Sequence, residues 1–183
     1  GHVWTTWSDD PRPMIEMPEF DEPDRRLVAA GAVTVRTSAQ RLVENFLDMG
    51  HFPYVHTGIL GDEPGTEVKP YEVETIRELA EVHATRCRFF QPQAAKSAQG
   101  GIEVEYHYRT SGPFVVMLYK TSPPAPGRQD LIGLFLQPME EDHCEVHSFV
   151  LVIDPDTPDV DLLHFQQVIF LQDRLIVEQQ VPR

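Results

Sequence analysis

The 183-residue chain has the length of a single domain, and its 41% hydrophobic content is sufficient for one core. Its net charge is −14, from 29 acidic and 15 basic side chains, which argues against binding to nucleic acid or an anionic membrane. The sequence contains no apolar run long enough to span a membrane and no recognisable secretory signal, so we expect a cytoplasmic protein.

The two cysteines, Cys87 and Cys144, belong to no Cys-x-x-Cys or Cys-x-His pair. Residues of this chain therefore cannot by themselves form a zinc ribbon or an iron–sulfur cluster. We expect both thiols to be reduced and buried.

The chain begins with β-branched and aromatic residues at 2–7, which predict a short strand that buries Trp4 and Trp7. Residues 8–24 are rich in proline and acidic residues, which predicts an extended connector without regular structure.

A second strand is predicted at residues 32–37, and Ser38 offers an N-cap to the helix that follows it. Leu42 and Phe46 recur at helical spacing on the core face of this helix. Gly50 and Pro53 are expected to interrupt it. Three glycines and two prolines predict a loop at residues 58–70.

The segment 66–90 is ambiguous, because some of its apolar residues have helical spacing and others alternate as in a strand. We predict a strand at residues 78–90. Alternation and bounding turn residues predict four further strands, at residues 102–109, 114–119, 131–136 and 144–153.

The last predicted element is a long amphipathic helix at residues 159–178, capped by Asp156 or Thr157. Its apolar face is formed by eight residues: Leu162, Leu163, Phe165, Val168, Ile169, Leu171, Leu175 and Ile176.

A helix, about five consecutive antiparallel strands and a long C-terminal helix together predict an α+β helix-grip (START-like) fold. In this fold a curved antiparallel sheet and the C-terminal helix enclose an apolar cavity. We expect an aromatic or apolar ligand there, bound by inward-pointing side chains, which we predict to be Phe89, Tyr106, Phe114, Met117 and Phe135.

The residues most suggestive of chemistry are His51 and His56, on either side of Pro53. In a continuous helix, residues five apart point about 140° away from each other. A break at Gly50 and Pro53 lets both imidazoles turn into one pocket, and two histidines with one carboxylate suit Fe(II). Spacing alone nevertheless favours ordinary structural hydrogen bonding over metal ligation.

The pattern Asn-x-x-Asp-x-x-His-x-x-x-x-His within residues 43–56 resembles the iron-binding signature of the Rieske non-haem iron aromatic-ring-hydroxylating oxygenases. The likeness is to the catalytic part of the α subunit, in the branch of vanillate O-demethylase and phenoxybenzoate dioxygenase. It continues through residues 87–92 and 172–178, and so covers nearly the whole chain.

This resemblance implies roles for four residues. His51 and His56 correspond to the iron-binding histidines, and Asn45 to an asparagine near the iron. Asp48 corresponds to the aspartate that hydrogen-bonds an iron ligand and connects it to the Rieske cluster of a neighbouring subunit. If the surrounding residues did not resemble the family signature, Asn45 would be predicted to be an amide on the helix surface and Asp48 a C-terminal cap.

Two features depart from the family pattern. The Rieske domain expected before this region is absent, so residues 1–24 resemble a terminal strand and linker at the exit from such a domain. Residues 25–183 then resemble a catalytic domain that is C-terminally incomplete, because the third, carboxylate ligand is expected beyond Arg183. Three nearby carboxylates do not occupy the family position: Asp159, Asp161 and Asp173.

The resemblance implies an oxidoreductase of aromatic catabolism that uses mononuclear Fe(II) and O₂ to hydroxylate or O-demethylate an aromatic substrate. Electrons from NAD(P)H are expected through a reductase or ferredoxin and a [2Fe–2S] Rieske cluster outside this chain, in a homotrimer. By itself the chain is then expected to be inactive. The alternative hypothesis is a non-catalytic helix-grip module that binds an apolar ligand or a partner protein.

Overall fold

The structure, a computed structural model, describes residues 2–6, 8–11 and 13–181. Within them lies a seven-stranded antiparallel sheet of order β1-β7-β6-β5-β4-β3-β2. Its strands are β1 (Arg26–Val35), β2 (Glu72–Ile76), β3 (Glu81–Gln91), β4 (Ile102–Ser111), β5 (Val115–Thr121), β6 (Gln129–Glu140) and β7 (His143–Val152). The helices are α1 (Ala39–Leu47), α2 (Phe52–Val55) and α3 (Asp159–Val177), preceded by a 3₁₀ turn at Pro18–Asp21. The predicted α+β helix-grip fold is confirmed.

The predictions made from alternation hold for the central strands and fail at the edges of the sheet. Strand β2 was not predicted, because four of its five residues are exposed and its two apolar residues, Val73 and Ile76, do not alternate as in a half-buried strand. The strand predicted at residues 2–7 is wrong: residues 2–6 have no regular structure, and Trp7 lies outside the described residues. The Trp4 ring instead packs edge-on against Phe135, with 4.9 Å between ring centroids, and stays about half exposed.

Helix α1 begins and ends where its sequence predicts. The Ser38 side chain accepts a hydrogen bond from the Arg41 backbone N–H, as an N-cap does. The chain leaves the helix at Asp48, whose backbone is extended. Pro53 lies in the first turn of α2, where a missing N–H has no cost.

The start of α3 corrects the predicted cap. The N-cap position is Pro158, which has no capping side chain, so neither Asp156 nor Thr157 fills this role. Asp154 instead accepts hydrogen bonds from the backbone N–H groups of Asp156 (3.1 Å) and Thr157 (3.0 Å). The Asp154 carboxylate thereby stabilises the turn that precedes α3.

The buried face of α3 is narrower than predicted. Leu162 and Val177 are buried, whereas Leu171, Leu175 and Ile176 are exposed, Leu175 to 70%. A single helix packed on a sheet covers only one stripe of its surface, and these three residues lie outside that stripe.

The two faces of the sheet carry separate apolar clusters, because successive side chains of a strand point to opposite sides. The helices cover the face that carries Val116 and Leu134. The opposite face carries Met117 and Phe135, and the N-terminal segment packs there through Ile15 and Met17. In the described part of the chain, no helix combines the length and apolarity needed to cross a bilayer.

Gly133 in β6 provides a test of this packing. A Cβ atom at Gly133 would overlap the ring of Phe149, which is buried and stacked on Phe135 at 4.9 Å. We expect Gly133→Ala to lower the free energy of unfolding by about 1–3 kcal/mol in urea denaturation. Gly100→Ala, where a Cβ meets open space, should change it by less than about 0.5 kcal/mol. Equal stabilities for the two variants would contradict the packing.

Candidate metal centre

The break between α1 and α2 brings His51 and His56 together. His51 immediately precedes α2 and His56 immediately follows it, so the two residues flank a single short turn. Their ring centroids are 5.0 Å apart. His56 is almost completely buried, and the His51 side chain is largely so.

Helix α3 supplies a carboxylate to this pair. The Asp173 Oδ1 atom lies 3.0 Å from His56 Nε2 and 3.3 Å from His51 Nε2. One ligand atom from each of the three residues lies within 4.8 Å of the other two, an arrangement able to hold a metal ion. The third carboxylate was expected beyond Arg183, but α3 already places the Asp173 carboxylate beside both histidines.

The sequence contained a signal for Asp173. Ile169, Asp173 and Val177 recur at intervals of four residues, which places them on one face of α3. Ile169 and Val177 pack into the apolar clusters of the core. A carboxylate between two core positions of a helix points inward and needs a partner there.

The far nitrogens of both imidazoles are held by oxygen acceptors. His56 Nδ1 lies 2.8 Å from Gln172 Oε1, and His51 Nδ1 lies 3.1 Å from Asp48 Oδ2. Each oxygen can accept a hydrogen bond from Nδ1–H, so with a metal ion bound both rings would keep their proton on Nδ1 and offer the lone pair of Nε2 to the metal. Both lone pairs then face the space beside Asp173, as required of metal-binding histidines.

The electrostatics of the cluster favour a cation. Burial acts to raise the pKa of Asp173, but the two histidines and the Asn45 side chain lower that pKa to about 2. Burial likewise acts to lower the pKa of His51, and the carboxylates of Asp173 and Asp48 outweigh it and raise that pKa. His51 Nε2 is nevertheless a buried nitrogen without a hydrogen-bond partner among the described residues. This donor set fits a divalent ion such as Fe(II).

The cluster opens into a cavity between the sheet and α3 that is also lined by Asn45. Of the five residues predicted to bind substrate, Tyr106 lies in its wall and the other four are not among the residues that line it. Met117 and Phe135 point to the opposite face of the sheet. Phe114 packs against the core cluster around Leu134, and Phe89 packs behind Tyr106 with ring centroids 4.8 Å apart.

The cavity wall contains apolar residues that were not predicted to face it. They come from the helices as well as the strands, and include Phe46, Phe52, Tyr108, Leu118, Ile132, Val150, Ile169 and Phe170. A shift of one residue along a strand moves a side chain to the other face, so the prediction required the direction of each strand as well as its position.

The two thiols lie apart and form no metal site together. Cys87 and Cys144 are free, buried and part of different apolar clusters. Burial raises the pKa of each thiol to about 11, so both are protonated at neutral pH. The prediction of buried, unpaired thiols is confirmed.

Comparison with known proteins identifies the family of the chain. Residues 35–183 match the family model described as the vanillate O-demethylase oxygenase C-terminal domain. The chain belongs to this family. The predicted resemblance to the catalytic part of Rieske-type oxygenases is confirmed at the level of the family.

Curated relatives of this demethylase family are longer than the chain. "Probable methylxanthine N7-demethylase NdmC" of Pseudomonas sp. (strain TJI-51) is 46% identical over 183 residues, which are 100% of this chain and 65% of NdmC. Methylxanthine N3-demethylase NdmB of Pseudomonas putida is 25% identical over 90% of this chain and 45% of its own length. The chain thus spans about two thirds or less of these relatives.

Solved structures of similar proteins share the fold. NdmA of Pseudomonas putida CBB5 with caffeine superimposes with a TM-score of 0.80 at 18% identity, covering 93% of this chain and 48% of that one. Dicamba monooxygenase bound to dicamba gives a TM-score of 0.70 at 19% identity, covering 92% and 52%. At these identities the likeness supports the helix-grip fold of the demethylase family and nothing finer.

Lys120 in the cavity wall predicts how stability depends on pH. Burial lowers the pKa of Lys120 to about 7 from an ordinary 10.5, although the Asp130 carboxylate opposes the shift. Between these values the unfolded chain binds the extra proton, so the free energy of unfolding rises with pH. We expect the wild type to gain about 1 kcal/mol per pH unit relative to Lys120→Met between about pH 7.5 and about pH 9.5. Parallel denaturation curves at both pH values would contradict this.

Proposed function

We propose that this chain is the catalytic domain of a Rieske-type oxygenase that uses mononuclear Fe(II) and O₂ to remove a methyl group from a methylated aromatic ring. The observation that carries the proposal is the convergence of His51 Nε2, His56 Nε2 and Asp173 Oδ1 at one end of an apolar cavity. Two histidines and one carboxylate form the ligand set that leaves iron open positions for O₂.

The proposed substrate is an N-methylated heteroaromatic compound of the methylxanthine type. This choice rests on the NdmC, NdmB and NdmA relatives, whose names specify methylxanthine demethylases. The cavity agrees with it, because aromatic and aliphatic side chains such as Phe52, Tyr108 and Ile132 suit a planar ring.

The proposed reaction balances as an oxidative demethylation. An N–CH₃ group, O₂, two electrons and two protons give N–H, formaldehyde and water, with the methyl carbon oxidised and O₂ reduced. Bound iron would supply the activation of O₂. O-demethylation and ring hydroxylation, which the family pattern also implied, remain alternative outcomes for the same residues.

The protein's own groups would hold the centre and shape the cavity. Gln172 and Asp48 fix the orientation of the two imidazoles through Nδ1, and Asn45 assists in keeping Asp173 ionised. The apolar wall excludes water from the reacting ring.

Asp48 is also proposed to provide the path for electrons. Its side chain is 53% exposed while bonded to the His51 ring, so it connects the candidate centre to the protein surface. The two buried cysteines cannot form the [2Fe–2S] cluster, so we propose that the cluster lies outside residues 25–183 and is reduced from NAD(P)H by a reductase or ferredoxin. Residues 1–24 are proposed as the linker from a Rieske domain, and a homotrimer as the assembly.

Iron binding distinguishes this proposal from the non-catalytic module. We expect the chain to bind one equivalent of Fe(II) in an anaerobic titration, and His51→Ala and Asp173→Ala each to lose about a hundredfold or more in affinity. His164→Ala, at an exposed histidine on α3 that belongs to neither candidate metal group of the described residues, is the control and should bind as the wild type does. Unchanged affinity in Asp173→Ala would reject Asp173 as the third ligand, and no binding by the wild type would favour the module.

Gln172 provides a second test, because it contacts His56 and not the metal position. Without an acceptor at Nδ1, the His56 ring loses its preferred tautomer and orientation. We expect Gln172→Leu to lower Fe(II) affinity by about 10- to 100-fold, as measured by competition with a chelator. Gln166→Leu, on the same helix and in the cavity wall, is the matched control and should leave the affinity unchanged.

A further inference from the structure

The end of the cavity away from the candidate metal centre contains a buried lysine. Lys120 lies on β5, opposite Tyr106 of β4 and Asp130 of β6 in the strand register. It follows Leu118 on the same face of the strand, and both side chains line the cavity. The cavity wall is therefore apolar at Leu118 and becomes charged at Lys120 and Asp130, which lie side by side on neighbouring strands.

Lys120 and the candidate centre lie at separate ends of one cavity. Asp130 accepts a hydrogen bond from the Ile153 N–H, beside Val152, and Val152 packs with Leu162 near the start of α3. Asp173 lies three turns further along that helix, about 16 Å along its axis from Leu162. A ligand in the cavity can therefore meet the lysine at one edge and the metal position at the other.

Lys120 has a charged neighbour but no hydrogen bond of its own among the described residues. The residue is only 5% exposed, and the Asp130 carboxylate acts on its ammonium through charge alone. Its closest aromatic contact is the Tyr106 ring, 5.7 Å from Nζ to the centroid. A buried ammonium without hydrogen-bond acceptors is costly, so this position has donors to offer to a ligand.

The neighbouring carboxylates are already engaged. Asp130 accepts the Ile153 N–H at 2.8 Å, and Asp154 accepts three hydrogen bonds from Asp156 and Thr157 in the turn before α3. Lys96 also lines the cavity but is exposed to solvent, so it does not need a ligand to satisfy it. Lys120 is thus a cavity-lining group whose hydrogen bonding a ligand would complete.

We propose that Lys120 determines substrate specificity by donating a hydrogen bond to a carbonyl oxygen on the ring of the substrate, at the edge opposite the methyl group that is removed. The inference rests on the proposed function and narrows its substrate class to planar heteroaromatic rings that carry such an oxygen. Tyr106 presents its ring face next to the ammonium, and Leu118 and Ile132 form the adjoining apolar wall. Together they accommodate a flat ring whose polar edge meets Lys120.

The test compares a methylated purine ring that carries carbonyl groups with one that carries none. Metal-free protein is titrated calorimetrically at pH 6.5 with 7-methylxanthine, which carries two carbonyl groups, and with 7-methylpurine, which carries none. We expect Lys120→Met to bind 7-methylxanthine about 10- to 100-fold more weakly than the wild type, and to bind 7-methylpurine within twofold. Lys69→Met, at a half-exposed lysine outside the cavity wall, is the control and should bind both ligands as the wild type does.

Three results would overturn the inference: 7-methylxanthine binding within twofold of wild type in Lys120→Met, equal loss of both ligands in that variant, or no binding of 7-methylxanthine by the wild type. Lys120→Gln, which retains a donor and no charge, is the second variant should Lys120→Met fail to fold, and should lose part of the same preference. Because the titration omits metal, it is independent of the iron test. Loss of iron binding with the Lys120 preference retained would reject the proposed function alone.

Discussion

The structure depends on one contact between distant parts of the chain, the approach of the Asp173 carboxylate to the Nε2 atoms of His51 and His56. The histidines come from the interrupted helix near the N-terminal end of the domain, and the carboxylate comes from the helix that closes the sheet. This contact requires α3 to lie along the sheet in one register, since a rotation by a single residue would turn Asp173 away by about 100°. The ionised state of a buried carboxylate there is maintained by the imidazoles and Asn45, so the ligand set and its charge state arise from the same packing.

Features encoded by residues close together in the sequence could be predicted, whereas contacts between distant residues could not. The helix cap at Ser38, the break at Gly50 and Pro53 and the histidine pair are encoded within a few residues, and the structure forms them as expected. Asp173 is more than a hundred residues from the histidines, and only its position between Ile169 and Val177 on the buried stripe indicates its direction. The structure shows the geometry of this set, while its role as an iron site stays a proposal.

The cavity wall was harder to predict, for a different physical reason. Strand positions were largely correct, but Met117 and Phe135 were assigned to the wrong face, because a strand with apolar residues on both sides gives no indication of which side meets the helix. The N-terminal segment explains the ambiguity: Ile15 and Met17 cover the opposite face and make it apolar as well. Strand β2 was not predicted for the opposite reason: its residues are mostly exposed, so neither of its faces has the apolar pattern of a buried strand.

Helices and strands contribute different residues to the cavity, and this difference bears on substrate specificity. The candidate metal ligands and Gln172 come from helical segments, whereas Tyr106, Lys120 and Ile132 reach the cavity from the strands. Substitutions on the strand wall can therefore alter what the cavity accepts without moving the imidazoles or the carboxylate. Helix α3 contributes to both parts, through Asp173 at one end and Phe165 and Ile169 along the wall, so its placement couples the two. Within the described part of the chain, Lys120 lines the cavity from a strand and makes no hydrogen bond or ion pair with Asp48, Gln172 or Asn45, so its proposed role in specificity can be tested without changing the residues that orient the candidate metal centre.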